Sequence, residues 1–152
     1  MILHRITSKV HSQDLSGTGA MLYGGRWNGK GVRMLYTSAS LSLAALETVV
    51  NLSGNRLGQR LFCVELDFPD ELPISEIATL PKNWNVYPHT SDTVLLGNNF
   101  IKRGELCLKV PSAIIPSEYN YLLNPAHDDF SKVRFLDARP LILDKRLVQN
   151  ID

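Results

Sequence analysis

Cysteine is scarce in this chain: Cys63 and Cys107 are the only two, and they form no C-x-x-C pair. A disulfide framework and a cysteine zinc site are therefore not indicated. Both fall in apolar, strand-like segments, the setting of buried reduced thiols. The four histidines (His4, His11, His89, His127) are scattered, with no H-E-x-x-H or comparable ligand spacing, so no metal is expected. No apolar run approaches the roughly 20 residues that span a bilayer. Met1 to Lys9 lacks the apolar core of a signal peptide, Thr7 and Ser8 interrupting it. A cytoplasmic location without membrane contact is the expectation. Charge of one sign is missing too: 16 Lys and Arg stand against 15 Asp and Glu. That balance argues against bulk electrostatic attraction to nucleic acid or anionic lipid, and leaves room for a locally basic pocket.

What is present reads as a globular domain. At 152 residues with 44% hydrophobic and 20% charged residues, the chain can bury roughly 68–70% of its unfolded surface. No repeat, low-complexity stretch or linker divides it, and one domain over residues 1–152 is expected. Ser12 to Gly31 carries glycines at 17, 19, 24, 25, 29 and 31 and reads as a long loop. Val32 to Thr37 reads as a strand. Ser40 to Leu52 reads as a helix with Ser38 or Ser40 as N-cap and Gly54 as its stop. Phe62 to Phe68 alternates with period two, as does Leu106 to Val110, and both read as strands. Pro69 and Pro73 bracket a turn. Asp92 to Arg103 reads as a helix capped by Ser91 or Asp92 and stopped by Gly104. Val133, Phe135 and Leu141 to Leu143 suggest further strands. Without regular βαβ repetition, the expected fold class is α+β with a mixed or largely antiparallel sheet.

The most informative stretch is Gly24-Gly25-Arg26-Trp27-Asn28. An arginine offers five N–H donors in a fixed fork suited to phosphate or carboxylate. The glycines permit positive φ or a close backbone approach. Standard phosphate cradles fail here. Gly24-x-x-x-x-Gly29-Lys30 is followed by Gly31 where a P-loop needs Ser or Thr, and the strand and helix context is wrong. Gly17-x-Gly19 has Leu22 in place of the third glycine of a dinucleotide fingerprint.

Each candidate also has an ordinary alternative. Arg26 could stack on Trp27 or pair with a carboxylate. On a helical wheel, Leu41, Ala45, Val49 and Leu52 form an apolar side that Leu46 and Val50 extend. Glu47 falls at the edge of the polar sector, beside Leu43 and Val50, and by itself reads as a solvated helix glutamate. Tyr36 could be a core ring or a stacking platform. Ser112 follows Pro111 after a strand, where turn chemistry would explain it. No serine lies in G-x-S-x-G, so an esterase nucleophile is not indicated.

Taken together, these pieces resemble the RES domain, named for its arginine, glutamate and serine. The resemblance runs through Gly17-x-Gly19-Ala20, Gly24-Gly25-Arg26-Trp27-Asn28, Leu35-Tyr36-Thr37-Ser38 and Leu43-Ala44-x-Leu46-Glu47. It continues through Leu80-Pro81-x-x-Trp84, Val110-Pro111-Ser112 and Asn120-Tyr121-Leu122-Leu123-Asn124-Pro125-Ala126-His127. It implies an ADP-ribosyltransferase-like α+β fold, and the toxin of a bacterial toxin–antitoxin pair that consumes NAD⁺ by hydrolysis or phosphorolysis, or that transfers ADP-ribose to a protein. It also implies a helix-turn-helix antitoxin that covers the site, within a hetero-oligomer. Under this resemblance Glu47 and Arg26 are the catalytic residues. Arg26, Tyr36, Ser112, Asn124 and His127 contact NAD⁺, with no metal and no direct nucleic-acid partner. Two rivals from other classes are a nuclease toxin and a non-catalytic nucleotide-binding regulatory module.

Overall fold

The computed structural model describes residues 1–51 and 60–147. Seven strands form one sheet: β1 (Ile2–Ser8), β2 (Leu35–Ser38), β3 (Leu61–Asp67), β4 (Ser75–Glu76), β5 (Cys107–Pro111), β6 (Tyr119–Leu123) and β7 (Arg134–Pro140). Three α-helices accompany them among the described residues: α1 (Thr18–Tyr23), α2 (Leu41–Asn51) and α3 (Ser91–Lys102). Across the sheet the order is β4-β5-β6-β2-β1-β3-β7. Every pairing is antiparallel except β4 with β5, which makes the sheet mixed. This is the α+β architecture that the sequence predicts.

Both faces of the sheet are covered, and the register assigns each side chain to a face. Leu3, Leu35, Val64, Leu66, Cys107 and Leu123 share one buried core with Phe68, Leu72, Leu106 and Val133. Leu108, Val110 and Leu122 share the other with Trp27, Met34 and Phe100. Strands buried on both faces explain why Val64 and Leu66 are fully enclosed while their neighbour Cys63 is buried as well. The desolvated Cys107 thiol is pushed up to about 12, which makes it an inert core group.

Several elements depart from the expectations. The stretch Ser12 to Gly31 is not all loop, because α1 occupies Thr18–Tyr23. That helix spans six residues and has no side-chain cap, so neither periodicity nor capping announced it. Strands β1 and β6 carry little signal in the sequence because His4, Arg5 and Asn120 break their apolar pattern. Helix α3 begins one residue before Asp92, with Thr90 as its N-cap, and ends before Arg103 and Gly104. Ser40 Oγ accepts from Leu43 N at 3.1 Å at the start of α2, as its capping role requires. The expected end of α2 at Leu52 and stop at Gly54 lie outside the described residues. Leu141 to Leu143 form no strand. Leu141 N still donates to Leu61 O at 2.8 Å, but Ile142 is exposed.

The inward side of α2 also differs from the wheel. Its buried residues are Leu43 and Ala44, and Val50 is exposed. One turn after Leu43, Glu47 lies on the same side of the helix. The half-buried carboxylate therefore reaches the sheet.

Candidate active site

Arg26 sits in a turn closed by Gly25 N to Asn28 O at 2.9 Å. Gly24 takes a φ of 72°, and Gly25 approaches the Tyr36 hydroxyl so closely that a Cβ would stand 2.7 Å from it. Both glycines are required by this geometry. The buried Asn28 side chain ties the turn together. Its amide donates to Ala20 O, Gly29 O and Val32 O at 2.8, 3.1 and 3.0 Å, and its Oδ1 accepts from the Tyr36 hydroxyl at 2.7 Å. Trp27 N donates to the same hydroxyl at 3.1 Å. Burial pushes the Tyr36 phenol well above its usual range, so it stays protonated and keeps donating.

The Arg26 guanidinium is held from the other side by a separate segment. Its Nη1 donates to Trp84 O at 2.8 Å and to Val86 O at 2.9 Å. Those bonds aim the fork while leaving its charge uncompensated by either carbonyl. Burial lowers the Arg26 pKa, and the charge of Glu47 raises it in opposition.

Glu47 is fixed just as firmly. Its Oε1 accepts from Ser112 Oγ and from Asn120 Nδ2, each at 2.7 Å. Ser112 lies just beyond β5 and is fully buried. Its Oγ also accepts from Ile114 N at 3.0 Å and Ile115 N at 3.1 Å, which consumes its lone pairs and directs its proton to Glu47. Asn120 is the second residue of β6 and is oriented by Ser38 Oγ, which donates to its Oδ1 at 2.7 Å.

These groups border one cavity of about 740 Å³, lined by Arg26, Tyr36, Glu47 and Asn120 together with Trp27, Pro111 and Ile114. The size falls within the roughly 300–1,000 Å³ of small-molecule sites. Ser112 does not line it and is joined to it by the hydrogen bond to Glu47. The remaining two expected residues lie elsewhere. Asn124, buried after β6, donates to Glu105 O at 3.0 Å and accepts from Ala126 N at 3.1 Å. His127 Nδ1 accepts from Asp129 N at 3.0 Å, capping a short 3-10 helix. Neither lines the cavity, and both make local turn contacts. They stand beyond the end of β6 opposite to the one that presents Asn120.

Sequence reasoning overlooked Asn120 as a site residue. Its partnership with Glu47 arises from the β5–β6 register, Val110 opposite Asn120, and from the packing of α2. Spacing in the sequence could not reveal that contact. The same is true of His4, Cys63 and Glu65, whose donor atoms lie within 4.8 Å of one another. Strand register brings His4 opposite Glu65, and Arg139 Nη2 already donates to Glu65 Oε1 at 2.6 Å. None of the three lines the large cavity.

A mixed α+β sheet, an arginine fork in a turn beside it and a doubly anchored helix carboxylate border one cavity, and together they make up the candidate site. The comparisons make it specific. The RES domain family model matches residues 2–144, and the chain belongs to that family. It is 38% identical over 143 residues to the "Prs ADP-ribosylating toxin" of Sphingobium sp. (strain YBL2), covering 91% of this chain and 89% of the relative. It is 38% identical over 153 residues to "Toxin Res" of Photorhabdus laumondii subsp. laumondii, covering 98% of each. Among solved structures, the M. tuberculosis MbcT–MbcA toxin–antitoxin complex contains a chain of the same fold. The TM-score is 0.77 at 17% identity, over 99% of this chain and 87% of that one.

Proposed function

We propose that this chain is the toxin of a toxin–antitoxin pair and that it breaks the nicotinamide–ribose bond of NAD⁺ in the cytoplasm. The observation that carries the reading is the carboxylate of Glu47, pinned by Ser112 and Asn120 in a cavity that it shares with Arg26. In the step, the bond between ribose C1′ and the nicotinamide nitrogen breaks, and its electron pair leaves with nicotinamide. The ring departs neutral, so no acid is needed to protonate it. Positive charge develops on the sugar, as in glycoside cleavage. A fixed carboxylate stabilises that charge more effectively than one that must reorganise. Water, losing a proton, or inorganic phosphate then bonds to C1′.

Arg26 grips the pyrophosphate, with the carbonyls of Trp84 and Val86 setting its direction. Tyr36 lines the cavity and holds the Arg26 turn through its hydroxyl. Ser112 is a positioning residue. Asn124 and His127 support the reading only as structural residues of the β6 end. A helix-turn-helix antitoxin that covers the cavity would neutralise the toxin in a hetero-oligomer. An antitoxin partner, of whatever fold, is supported by the toxin–antitoxin complex of the structural neighbour.

Purified protein is incubated with NAD⁺, with and without phosphate, and nicotinamide and the ribose product are followed. Nicotinamide release that depends on phosphate means phosphorolysis, and release without it means hydrolysis. Transfer of ADP-ribose to a protein is the second reading, favoured by the name of the Sphingobium relative. It predicts release only when a protein acceptor is supplied. No release under any of these conditions sinks both.

A further inference from the structure

The rim of the cavity carries two large rings that the core does not use. Tyr23, the last residue of α1, is 75% exposed, and Tyr87 is 84% exposed, yet both line the cavity. They come from different segments of the chain. Tyr23 directly precedes Gly24-Gly25-Arg26. Tyr87 belongs to a strip in which every second side chain, Asn85, Tyr87 and His89, lines the cavity. On either side of Asn85, the carbonyls of Trp84 and Val86 hold the Arg26 guanidinium. Both tyrosines are thus tied through the backbone to the arginine fork, while Pro111, Ala113 and Asn120 border the cavity beside Glu47.

A phenol ring exposed at a cavity rim is an apolar face with a polar tip, suited to stacking against a flat heterocycle. A base–aromatic stack contributes about 1–3 kcal/mol. If the ribose to be cleaved lies at Glu47 and the pyrophosphate at Arg26, the second base of a dinucleotide lies beyond the arginine. We infer that Tyr23 and Tyr87 form the subsite for the adenine half of NAD⁺ and so set a preference for the dinucleotide over a mononucleotide. This rests on the NAD⁺ reading above, but it makes a claim about binding that stands apart from turnover.

The test compares the wild-type chain with Tyr23→Ala, Tyr87→Ala and Tyr87→Phe. Nicotinamide release is measured from NAD⁺ and from nicotinamide mononucleotide, and ADP-ribose binding is measured by calorimetry. The expected result for each alanine variant is a KM for NAD⁺ raised about tenfold, the weight of one stacked base. Change in kcat stays within about twofold, and the mononucleotide KM does not follow. ADP-ribose binding weakens in parallel, and Tyr87→Phe restores it. An unchanged KM for NAD⁺ in both alanine variants overturns the inference. So does an equal rise for the mononucleotide, which means general distortion of the cavity. Wild-type protein that releases no nicotinamide but binds ADP-ribose through these tyrosines sinks the cleavage reading and keeps the subsite. Wild-type protein that neither releases nicotinamide nor binds ADP-ribose overturns both.

Discussion

Glu47 and Ser112 lie 65 positions apart in the chain and meet at 2.7 Å, the serine hydroxyl donating to the carboxylate. The contact holds a helix residue against the exit of a strand. It leaves the carboxylate with one anchored oxygen, Asn120 being the second donor to it. An anion so held is preorganised for charge that appears only in the transition state.

Glu47→Gln keeps an oxygen able to accept both bonds but removes the charge. The expected outcome is a loss of at least about 100-fold in kcat for NAD⁺ cleavage. The unfolding midpoint should move by less than about 4 °C, within roughly 1 kcal/mol. Activity near wild type in a folded, purified variant defeats the assignment of Glu47.

Ser112→Ala separates positioning from catalysis. It removes one donor from Glu47 and strips Ile114 N and Ile115 N of their acceptor. Unsatisfied donors of this kind cost about 1–3 kcal/mol. Denaturant midpoints should register that loss. Kinetics should show a fall in kcat smaller than that of Glu47→Gln with KM nearly unchanged. A KM effect larger than the kcat effect would instead put Ser112 in contact with substrate.

Gly97 on α3 packs directly against the backbone of Trp27: a Cβ there would stand 1.7 Å from Trp27 O. Gly97→Ala must push α3 away from the Arg26 turn. Overpacking on this scale is expected to cost about 2 kcal/mol or more. Because Trp27 adjoins Arg26, ADP-ribose affinity should fall with it. An alanine variant with unchanged stability would mean that α3 and the turn are free to separate.

Tyr36→Phe tests whether the hydroxyl holds the site or merely fills the core. Trp27 N loses an acceptor and Asn28 Oδ1 loses a donor. The expected cost is about 1–3 kcal/mol, read by chemical denaturation. A stability equal to wild type would show that the ring alone suffices.

Below neutral pH, His4 should weaken the fold. Burial lowers its pKa from 6.5, Glu65 raises it in opposition, and Arg139 lowers it further. A depressed folded-state value means that the unfolded chain binds more protons, so stability rises with pH in this range. The contribution is complete above about 6.5 and is lost as pH falls through the folded value. His4→Gln should flatten the decline of the unfolding midpoint between roughly pH 7 and 5. The lowered value of His89 works in the same direction, so some slope remains in that variant. An unaltered slope would remove His4 from the account.

Local signals in the sequence carried much of the architecture. Period-two alternation marked β3 and β5, and a serine cap with a Leu/Ala-rich run marked α2. The order of elements gave the α+β class. The short α1, and the central strands β1 and β6 with their polar residues, carried too little local pattern to be separated from loop. Motif pieces at Arg26, Tyr36, Glu47 and Ser112 were legible as residues, but their partnerships were not.

By itself, then, the sequence determined the family, the residue types available for chemistry and the segments able to become strands or helices, because these depend on composition and short-range spacing. Only the tertiary structure decided that Glu47 faces inward, that Asn120 joins Ser112 in holding it, and that two carbonyls near residue 85 aim Arg26. It also separated Asn124 and His127 from the cavity. Those relationships span 58 to 73 positions for the bonds to Arg26 and Glu47. They follow from strand register and from how helices seat on a sheet, and both are fixed by packing of the whole fold.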